Sequence, residues 1–336
     1  MLLGFALTQH CNLRCPHCIR DDVTTVRSLS ADFVLSVTDQ ARELFGETAT
    51  SFTGGEPLLH PGFEPLLAGL HERGVAYRFV SNGWHLKRVM PLLDRYRPMS
   101  VRLSLSGADE PVHDEERGRG SFRRVLLSIA LLTSRAIPTW LAIVIDQRTR
   151  HQIREVADLA ESLGVSGLQY ILPQPVPASV SRGSDLPPEA WWEVTAEVKA
   201  LAAEAGRRTF IEMSYGHPMG ELETACETFS QKRVYVDAFG RLSLCCQLSD
   251  YGNNEADVIA DLHTTPLRAA WPLYLERLQQ LQSGMMQLRE GDDPVAPFPC
   301  LRCARACGKL AFLDGVAGNP FAPVRGRTLP VFAAAV

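Results

Sequence analysis

The stretch that decides the fold reads Thr8-Gln-His-Cys11-Asn-Leu-Arg-Cys15-Pro-His-Cys18. It follows directly on the apolar run Leu2–Leu7, whose length and composition predict a buried strand. The three cysteines, at spacings of four and three residues, are therefore expected on one loop at the carboxyl end of that strand. Thiolates this close in sequence can bind one metal centre.

The residue types on this loop favour an iron-sulfur cluster. Cysteine sulfur is the soft ligand that iron prefers, and short spacers bring successive sulfurs to neighbouring irons of a cube. Three ligands leave the fourth iron of a 4Fe-4S cluster open. The spacing also permits a structural zinc site, in which His10 or His17 would supply the fourth donor.

A second motif follows the next predicted strand, Ala49–Phe52. It reads Thr53-Gly54-Gly55-Glu56-Pro57, and a helix is expected to begin near Pro61. Glycines after a strand let the backbone approach a ligand closely and leave amides free to hold it. With a Cys-x3-Cys-x2-Cys loop after the first strand and Gly-Gly-Glu-Pro after the second, the chain resembles the radical S-adenosylmethionine (SAM) superfamily.

That resemblance implies a specific chemistry. The open iron of the cluster held by the three cysteines would chelate the amino and carboxylate groups of SAM, and Gly54, Gly55 and Glu56 would line the methionine amino group. An electron from the reduced cluster would split the S–C5′ bond and give a 5′-deoxyadenosyl radical, which takes a hydrogen atom from the substrate. The protein would supply orientation and exclude water.

The composition is that of an ordinary globular protein. Of 336 residues, 46% are apolar and 21% are charged, enough for a barrel-sized domain and a smaller module. No stretch has the length of a membrane span, and the N-terminus does not read as a signal peptide, so a cytoplasmic protein without a membrane partner is expected. The net charge of -4 argues against a nucleic-acid partner.

From Met1 to about Gly206, apolar strands alternate with amphipathic helices, a pattern typical of an α/β fold with a parallel sheet. The resemblance implies a partial (β/α)6 TIM-type barrel over residues 1–206. The predicted strands are Leu2–Leu7, Ala49–Phe52, Tyr77–Val80, Ser100–Leu105, Thr139–Ile145 and Gly167–Leu172. The predicted helices are Ala31–Phe45, Gly62–Arg73, Trp84–Tyr96, Phe122–Arg135, Arg150–Leu163 and Pro187–Ala205.

The loops after the strands are where such barrels carry their chemistry. Asn82 follows the third strand and is expected either to contact the SAM carboxylate or substrate, or to form a turn with Gly83. Ser104 and Ser106 are two residues apart, so both can point into the barrel. The resemblance assigns them to the ribose of SAM, with a turn as the alternative for Ser106. Asp146 is expected to cap the fifth helix.

Six further cysteines fall between residues 226 and 307, and none between 19 and 225. Cys226 precedes a predicted hairpin, Arg233–Asp237 with Arg241–Leu244, whose turn contains Gly240. Cys245 follows that hairpin. The set closes with Cys300-Leu-Arg-Cys303-Ala-Arg-Ala-Cys307. Without a secretory signal, so many cysteines argue for metal ligation over disulfides.

This second set resembles the SPASM and Twitch extensions of radical SAM enzymes, which bind auxiliary iron-sulfur clusters. No cysteine follows Cys307, and six thiolates cannot fully ligate two cubes, so one auxiliary 4Fe-4S cluster is predicted. The resemblance implies a small Cys-rich α+β domain over residues 207–315, followed by a C-terminal tail, 316–336. The predicted ligands, for which a zinc site is the alternative, are Cys226, Cys245, Cys300 and Cys303, with Cys307 as the substitute.

Cys246 is left over. Adjacent strand residues point in opposite directions, so Cys245 and Cys246 are not expected to share one iron. Cys246 is interpreted as a small buried hydrophobe, or as a hydrogen donor to a substrate radical, which would suit an epimerase.

The favoured hypothesis is hydrogen abstraction from a ribosomal peptide, giving oxidation or crosslinking, with flavodoxin or ferredoxin as electron donor. Since few residues precede Cys11, a peptide is expected to need a separate recognition protein or direct recognition. The alternatives are a radical SAM dehydrogenase or epimerase acting on a sugar, cyclitol or nucleoside in antibiotic biosynthesis, and a zinc-stabilised non-enzymatic binding protein.

Overall fold

A computed structural model describes residues 1–20, 26–214, 216, 226–249, 251–252, 254–289 and 293–322. Its described strands form a single sheet in the order β10-β9-β8-β1-β2-β3-β4-β5-β6-β7. These strands are β1 Leu2–Thr8, β2 Ala49–Gly54, β3 Ala76–Ser81, β4 Ser100–Leu105, β5 Thr139–Val144, β6 Gly167–Ile171, β7 Phe210–Met213, β8 Arg233–Val236, β9 Arg241–Ser243 and β10 Val258–Asp261.

Strands β1 to β7 pair in parallel in chain order, each neighbour reached through a crossover. All six predicted strands are present, and the α/β class with a parallel barrel-type sheet is confirmed. Strand β7 adds a seventh parallel strand beyond β6. On the other side of β1, β8 continues the sheet in parallel, so the predicted division at residue 206 falls within a continuous sheet and stays a prediction.

The described helices connect and cover the strands. They are α1 Ala31–Phe45, α2 Phe63–Glu72, α3 Leu86–Arg95, α4 Glu110–Arg117, α5 Ser121–Thr133, α6 Ile153–Ser162, α7 Pro177–Ser181, α8 Ala190–Ala202, α9 Leu267–Arg289 and α10 Pro299–Ala306. Among these described residues, no helix is both long and apolar enough to cross a membrane.

Two helices differ from the sequence-based expectation. Helix α4 was not among the predicted helices, and the Asp109 side chain, which accepts from Val112 N at 2.9 Å, starts it. Helix α7 was not among them either. Pro177 fits the first turn of a helix, where a missing N–H costs nothing, and Ser179 is buried.

Side chains also cap other helical segments. Ser30 Oγ accepts from Phe33 N at 3.1 Å at the start of α1. Asp146 Oδ1 accepts from the amides of Arg148 and Thr149, both at 2.9 Å, and so caps the turn before α6. The predicted hairpin is also present, with β8 and β9 antiparallel around Gly240, whose φ is +82°.

The two faces of the sheet differ in character. Side chains on the outer face, including Phe5, Phe79 and Leu103, are buried in one core beneath the helices. The inner face carries polar side chains, because register places Ser51 beside Arg78 and Gln169 beside Glu212. Alternation along each strand thus separates an apolar, helix-covered face from an open polar one.

The sheet curls around its inner face. Arg102 on β4 and Arg233 on β8 have three strands between them in the sheet order. They nonetheless lie close enough that the charge of Arg233 lowers the pKa of Arg102, after burial and Arg78. The inner face is therefore the lumen of an open barrel.

Candidate functional site

The first cysteine loop leaves the carboxyl end of β1. Thr8 Oγ1 accepts from His10 N at 3.0 Å, and Cys18 N donates to Cys15 O at 3.1 Å, which turns the loop back on itself. Burial raises the pKa of Cys11 to about 11, and the nearby Cys15 and Cys18 act in the same direction. The structure thus brings the three predicted ligands into one neighbourhood.

Gly54 and Gly55 lie against the backbone of that loop. Gly55 N donates to Thr8 O at 2.6 Å, and Glu56 N donates to His10 O at 2.8 Å. A Cβ would lie 2.4 Å from Thr8 O at Gly54, whose φ is +125°, and 2.2 Å from His10 O at Gly55. The glycines are needed for this close approach, and the Gly55 amide, which was expected to be free to hold a ligand, donates to the loop instead.

The carboxylate of Glu56 joins the ends of β2 and β3. It is buried and accepts hydrogen bonds from Leu58 N at 3.1 Å, Ser81 Oγ at 2.8 Å and Asn82 N at 2.8 Å. Burial raises the pKa of Glu56, whereas these hydrogen bonds lower it. In the described structure Glu56 is a brace beneath Asn82, and its predicted contact with the methionine amino group stays a prediction.

Asn82 reaches the cysteine loop. Its Nδ2 donates to Asn12 Oδ1 at 3.0 Å and lies 3.9 Å from Cys11 Sγ, while its Oδ1 accepts from Trp84 N at 2.9 Å. The two roles considered for Asn82, a turn and a site residue, are therefore compatible. Its side-chain oxygen closes the turn by accepting from Trp84 N, while its side-chain NH₂ group points at a predicted iron ligand.

The two predicted ribose contacts separate in the structure. Ser104 lies on the inner face of β4, paired with Ala142, as expected. Ser106 lies beyond the end of β4 and is buried, and its Oγ accepts from Arg117 Nε at 2.6 Å. Both assignments to the ribose stay predictions, and Ser106 already serves to hold Arg117.

Sequence reasoning missed a polar network on α4. Arg117 Nη1 lies 3.8 Å from Cys15 Sγ, and its Nη2 lies 3.5 Å from His17 Nε2. His17 Nδ1 is 3.2 Å from Glu116 Oε2, and Glu116 Oε1 accepts from Arg148 Nη1 at 2.9 Å. The signal that would have found it is the Asp109-Glu-Pro111 start of a helix.

The second cysteine set comes together from three separate segments. Cys226 precedes β8, Cys245 follows β9, and Cys300 and Cys303 are three residues apart on α10. Cys226 lies near enough to the other three for its charge to raise the pKa of each, although burial is the larger effect for Cys300 and Cys303. The four residues predicted as auxiliary ligands are therefore neighbours.

Cys307 has charged residues near it as well as Cys303. It is buried at the end of α10, and after burial the main influence on its pKa is the charge of Asp257, with Lys309 and Arg277 acting oppositely. It neighbours Cys303, whose pKa its charge raises, so it stays the substitute ligand.

Cys246 does not follow the strand argument. Strand β9 ends at Ser243, so Cys245 and Cys246 lie beyond the strand, at the start of a turn. The strand argument that they point in opposite directions therefore does not apply to them. The neighbouring Cys245 thiol, aided by Arg233, lowers the pKa of Cys246, which packs beside Ala6 and Tyr235 on the inner face.

The donor set of the first loop fits an iron-sulfur cluster. Three thiol groups share one loop, and the N–H donors of Asn82 and Arg117 reach two of the sulfurs. Such donors orient ligands and tune cluster potentials. Within the described ranges, no three His, Cys, Asp or Glu side chains are placed to hold one metal ion, and a cube distributes its ligands over four irons.

Comparison with known proteins gives a family and several relatives. The model of the Radical SAM superfamily matches residues 5–160. The chain is 29% identical over 171 residues to the antilisterial bacteriocin subtilosin biosynthesis protein AlbA of Bacillus subtilis, an alignment covering 49% of this chain and 38% of AlbA. It is 26% identical over 227 residues to the mycofactocin maturase MftC of Mycobacterium tuberculosis, covering 65% and 56%.

Among solved structures, Streptococcus suis SuiB bound to its precursor peptide SuiA superposes with a TM-score of 0.68 at 13% identity. That superposition covers 96% of this chain and 74% of SuiB and shows a shared fold. The curated relatives are matched over only 38% and 56% of their own length.

The family match spans the cysteine loop, the Gly-Gly-Glu segment, Asn82, the two serines and α4. It confirms the predicted recognition and the predicted cofactors of the family, SAM and 4Fe-4S clusters. With a three-cysteine loop braced at the end of β1 of a curled parallel sheet, residues 5–160 of this chain match the Radical SAM superfamily.

Proposed function

We propose that this chain abstracts a hydrogen atom from an unactivated C–H bond of a ribosomal peptide and thereby oxidises or crosslinks it. The observation that carries the proposal is the junction of the two cysteine sites on one sheet. Strand β1 carries the first loop and is paired in parallel with β8, which follows Cys226 and leads to Cys245.

The choice of a peptide is supported by the relatives. AlbA takes part in bacteriocin biosynthesis, MftC is a maturase, and SuiB has been seen with a precursor peptide. Because the matched curated relatives are longer than the aligned segments, and SuiB shares only the fold, these names support the substrate class without assigning the peptide. The electron donor and a separate recognition protein stay predictions.

When bound, the cluster and SAM supply the one-electron chemistry that removes hydrogen from the substrate. The chain's own residues hold and orient them. The three cysteines would ligate the cluster. Asn82 and Arg117 donate toward two of their sulfurs, and Glu56 fixes Asn82 by accepting from the Asn82 backbone amide. Packing of Gly55 against the loop holds the cysteine ligands next to these donors.

The second site would hold one auxiliary 4Fe-4S cluster on Cys226, Cys245, Cys300 and Cys303. This second site lies beside the lumen. Cys246 lies between the two, because it neighbours Cys245 and packs against Ala6 and Tyr235 on the inner face. An auxiliary cluster there would accept an electron from the substrate or hold the substrate in place.

The test is iron and sulfide content after anaerobic reconstitution, for the parent and a Cys11/Cys15/Cys18→Ala triple variant, with dithionite-driven SAM cleavage. About eight irons should fall to about four, with 5′-deoxyadenosine made only by the parent. Zinc in place of iron, or no SAM cleavage by the loaded parent, would contradict the proposal and favour the zinc-stabilised binding protein.

The contact of Cys246 with the inner face favours a second candidate, a dehydrogenase or epimerase of a small molecule such as a sugar, cyclitol or nucleoside. In the epimerase, the Cys246 S–H would give its hydrogen atom to the substrate radical, and the electron donor with a proton would restore the thiol. Cys246→Ala should abolish epimerisation and leave 5′-deoxyadenosine formation intact. Epimerised product from this variant would exclude Cys246 as the donor.

A further inference from the structure

The first cysteine loop reaches the protein surface beside basic side chains that the site does not use. Cys11 is exposed, and so is His10 before it. The turn after β3 lies against this loop, since Asn82 Nδ2 is 3.9 Å from Cys11 Sγ and Asn82 Oδ1 accepts from Trp84 N. The exposed edge of the loop therefore continues into the residues that lead to α3.

Two exposed arginines flank that turn. The guanidinium carbon of Arg124, on α5, lies 4.0 Å from the centroid of the Trp84 ring. Arg88, on α3, donates from Nη2 to Leu58 O at 3.0 Å, in the segment that follows Glu56. The residues around the turn are here named the basic patch, and they are His10, Trp84, His85, Arg88 and Arg124.

The basic patch is a region of positive charge. Burial lowers the pKa of His85, and the charges of three cationic neighbours lower it further. Those neighbours are Arg88, Arg124 and His10, in order of decreasing effect. Residues 10–14, 84–88 and 118–124 contain one, two and three Lys or Arg residues and no Asp or Glu, whereas the whole chain has a net charge of -4. The patch is thus opposite in sign to the protein that carries it.

Neither patch arginine contacts a carboxylate in the part of the chain that the structure describes. Arg88 donates to a backbone carbonyl, and Arg124 stacks on an indole ring. Their neighbour Arg123 differs, because its Nε lies 3.1 Å from Glu110 Oε1. Exposed charges of one sign attract a partner of the opposite sign over about 10 Å at 0.1 M salt. The partner that fits this surface is therefore acidic.

We propose that the basic patch is the docking surface for an acidic one-electron carrier protein that reduces the cluster of the first cysteine loop. The inference deepens the proposed function, on which it rests, because hydrogen abstraction needs an electron at that cluster. The carrier's flavin or iron-sulfur centre is oxidised by one electron and the cluster is reduced by one. Electron-transfer complexes are small, at less than about 1,200 Å² of buried surface, so a few charges around an exposed ligand can guide docking.

The test uses the full chain, reconstituted anaerobically, with two readouts. The first is the affinity for an oxidised flavodoxin and for an oxidised 4Fe-4S ferredoxin, both acidic, measured by titration calorimetry. The second is the rate of 5′-deoxyadenosine formation driven by each reduced carrier or by the methyl viologen radical, a small cation. The carrier that the parent binds more tightly identifies the cofactor class of the partner.

Arg88→Glu and Arg124→Glu should each weaken binding of that carrier and slow carrier-driven cleavage about tenfold at low salt. High salt should shrink both differences, because exposed charges are screened. The rate with methyl viologen should not fall, since a cation gains from added negative charge. If Arg88→Glu loads less iron, Arg124→Gln replaces it and should show a smaller loss than Arg124→Glu.

The matched control is Arg208→Glu, which makes the same change in charge. The Arg208 side chain is 85% exposed and pairs with Glu161. It precedes β7, so it lies at the amino ends of the parallel strands, whereas the cysteine loop leaves the carboxyl end of β1. Its affinities and rates should equal those of the parent.

Unchanged affinity and rate for both carriers in the patch variants would overturn the proposal. An equal loss of rate with methyl viologen would also overturn it, because the arginines would then act on the cluster and not on the carrier. Slower peptide modification with unchanged 5′-deoxyadenosine formation would assign the patch to the substrate instead. A parent that binds a carrier and cleaves SAM but modifies no peptide would contradict the proposed function alone.

Discussion

The two cysteine sites are held in place by different kinds of interaction, hydrogen bonds at the first and hydrophobic packing at the second. The first loop is fixed by polar contacts from distant segments, since Asn82, Arg117 and the Gly55 amide all reach it through hydrogen bonds. At the second site, Cys226, Cys245 and Cys303 pack against the main hydrophobic core. The first site is thus sensitive to loss of a single donor, and the second to loss of packing or of a ligand.

The largest expected effect separates the two sites by their cysteines. Cys18→Ala should reduce 5′-deoxyadenosine formation to background, because it removes a ligand of the cluster that cleaves SAM. Cys303→Ala should remove about four irons and abolish substrate modification while SAM cleavage continues. The measurement is iron content with 5′-deoxyadenosine quantified by chromatography. Loss of SAM cleavage in both variants would show that the sites are not independent.

Gly55→Ala tests whether the first loop depends on backbone contact. The added Cβ would lie 2.2 Å from His10 O, so the loop must move, and we expect a loss of about 3 kcal/mol in the free energy of unfolding. Iron should be lost from the first site alone. The control is Gly315→Ala, where a Cβ meets nothing within 4 Å. Equal stability of the two variants, measured by denaturant unfolding, would contradict the packing argument.

Arg117→Gln tests the missed donor. The substitution removes the guanidinium contacts with Cys15 Sγ and Ser106 Oγ, and loss of such outer partners of metal ligands typically costs about 10–100-fold in activity. SAM cleavage should fall in that range while the auxiliary irons remain. The matched control is Arg123→Gln on α5, because the Arg123 side chain is 79% exposed. Unchanged cleavage in Arg117→Gln would remove Arg117 from the site.

The smallest effect concerns Cys307. Because its thiol lies beside Asp257 and Lys309, we expect Cys307→Ala to keep both clusters and to lose only about 1 kcal/mol of stability from the small cavity. Iron analysis of this variant beside Cys303→Ala decides the ligand set. A loss of about four irons would make Cys307 a ligand.

The difference between the sites also explains what the sequence could predict. The first loop is contiguous, so spacing alone placed its cysteines, and apolar runs located the first six strands. Helix α4 escaped because it has eight residues and little apolar content. Arg117 is 102 residues from Cys15, and no local pattern relates two side chains across that distance.

The second cysteine site was likewise predictable only in part. The Cys-x2-Cys pair on α10 and the hairpin glycine indicated a metal site, but the relation of Cys246 to Cys245 depended on where β9 ends. Strand ends are set by tertiary contacts and are the least predictable part of an element.

The pairing of β1 with both β2 and β8 protects the chain against misassembly. An unpaired strand edge is a template for another chain, and β1 is among the longest and most apolar strands of the sheet. Removing everything after residue 206 would leave its outer edge bare. The C-terminal region thus shields the strand that bears the first cysteine loop from aggregation, in addition to any redox role.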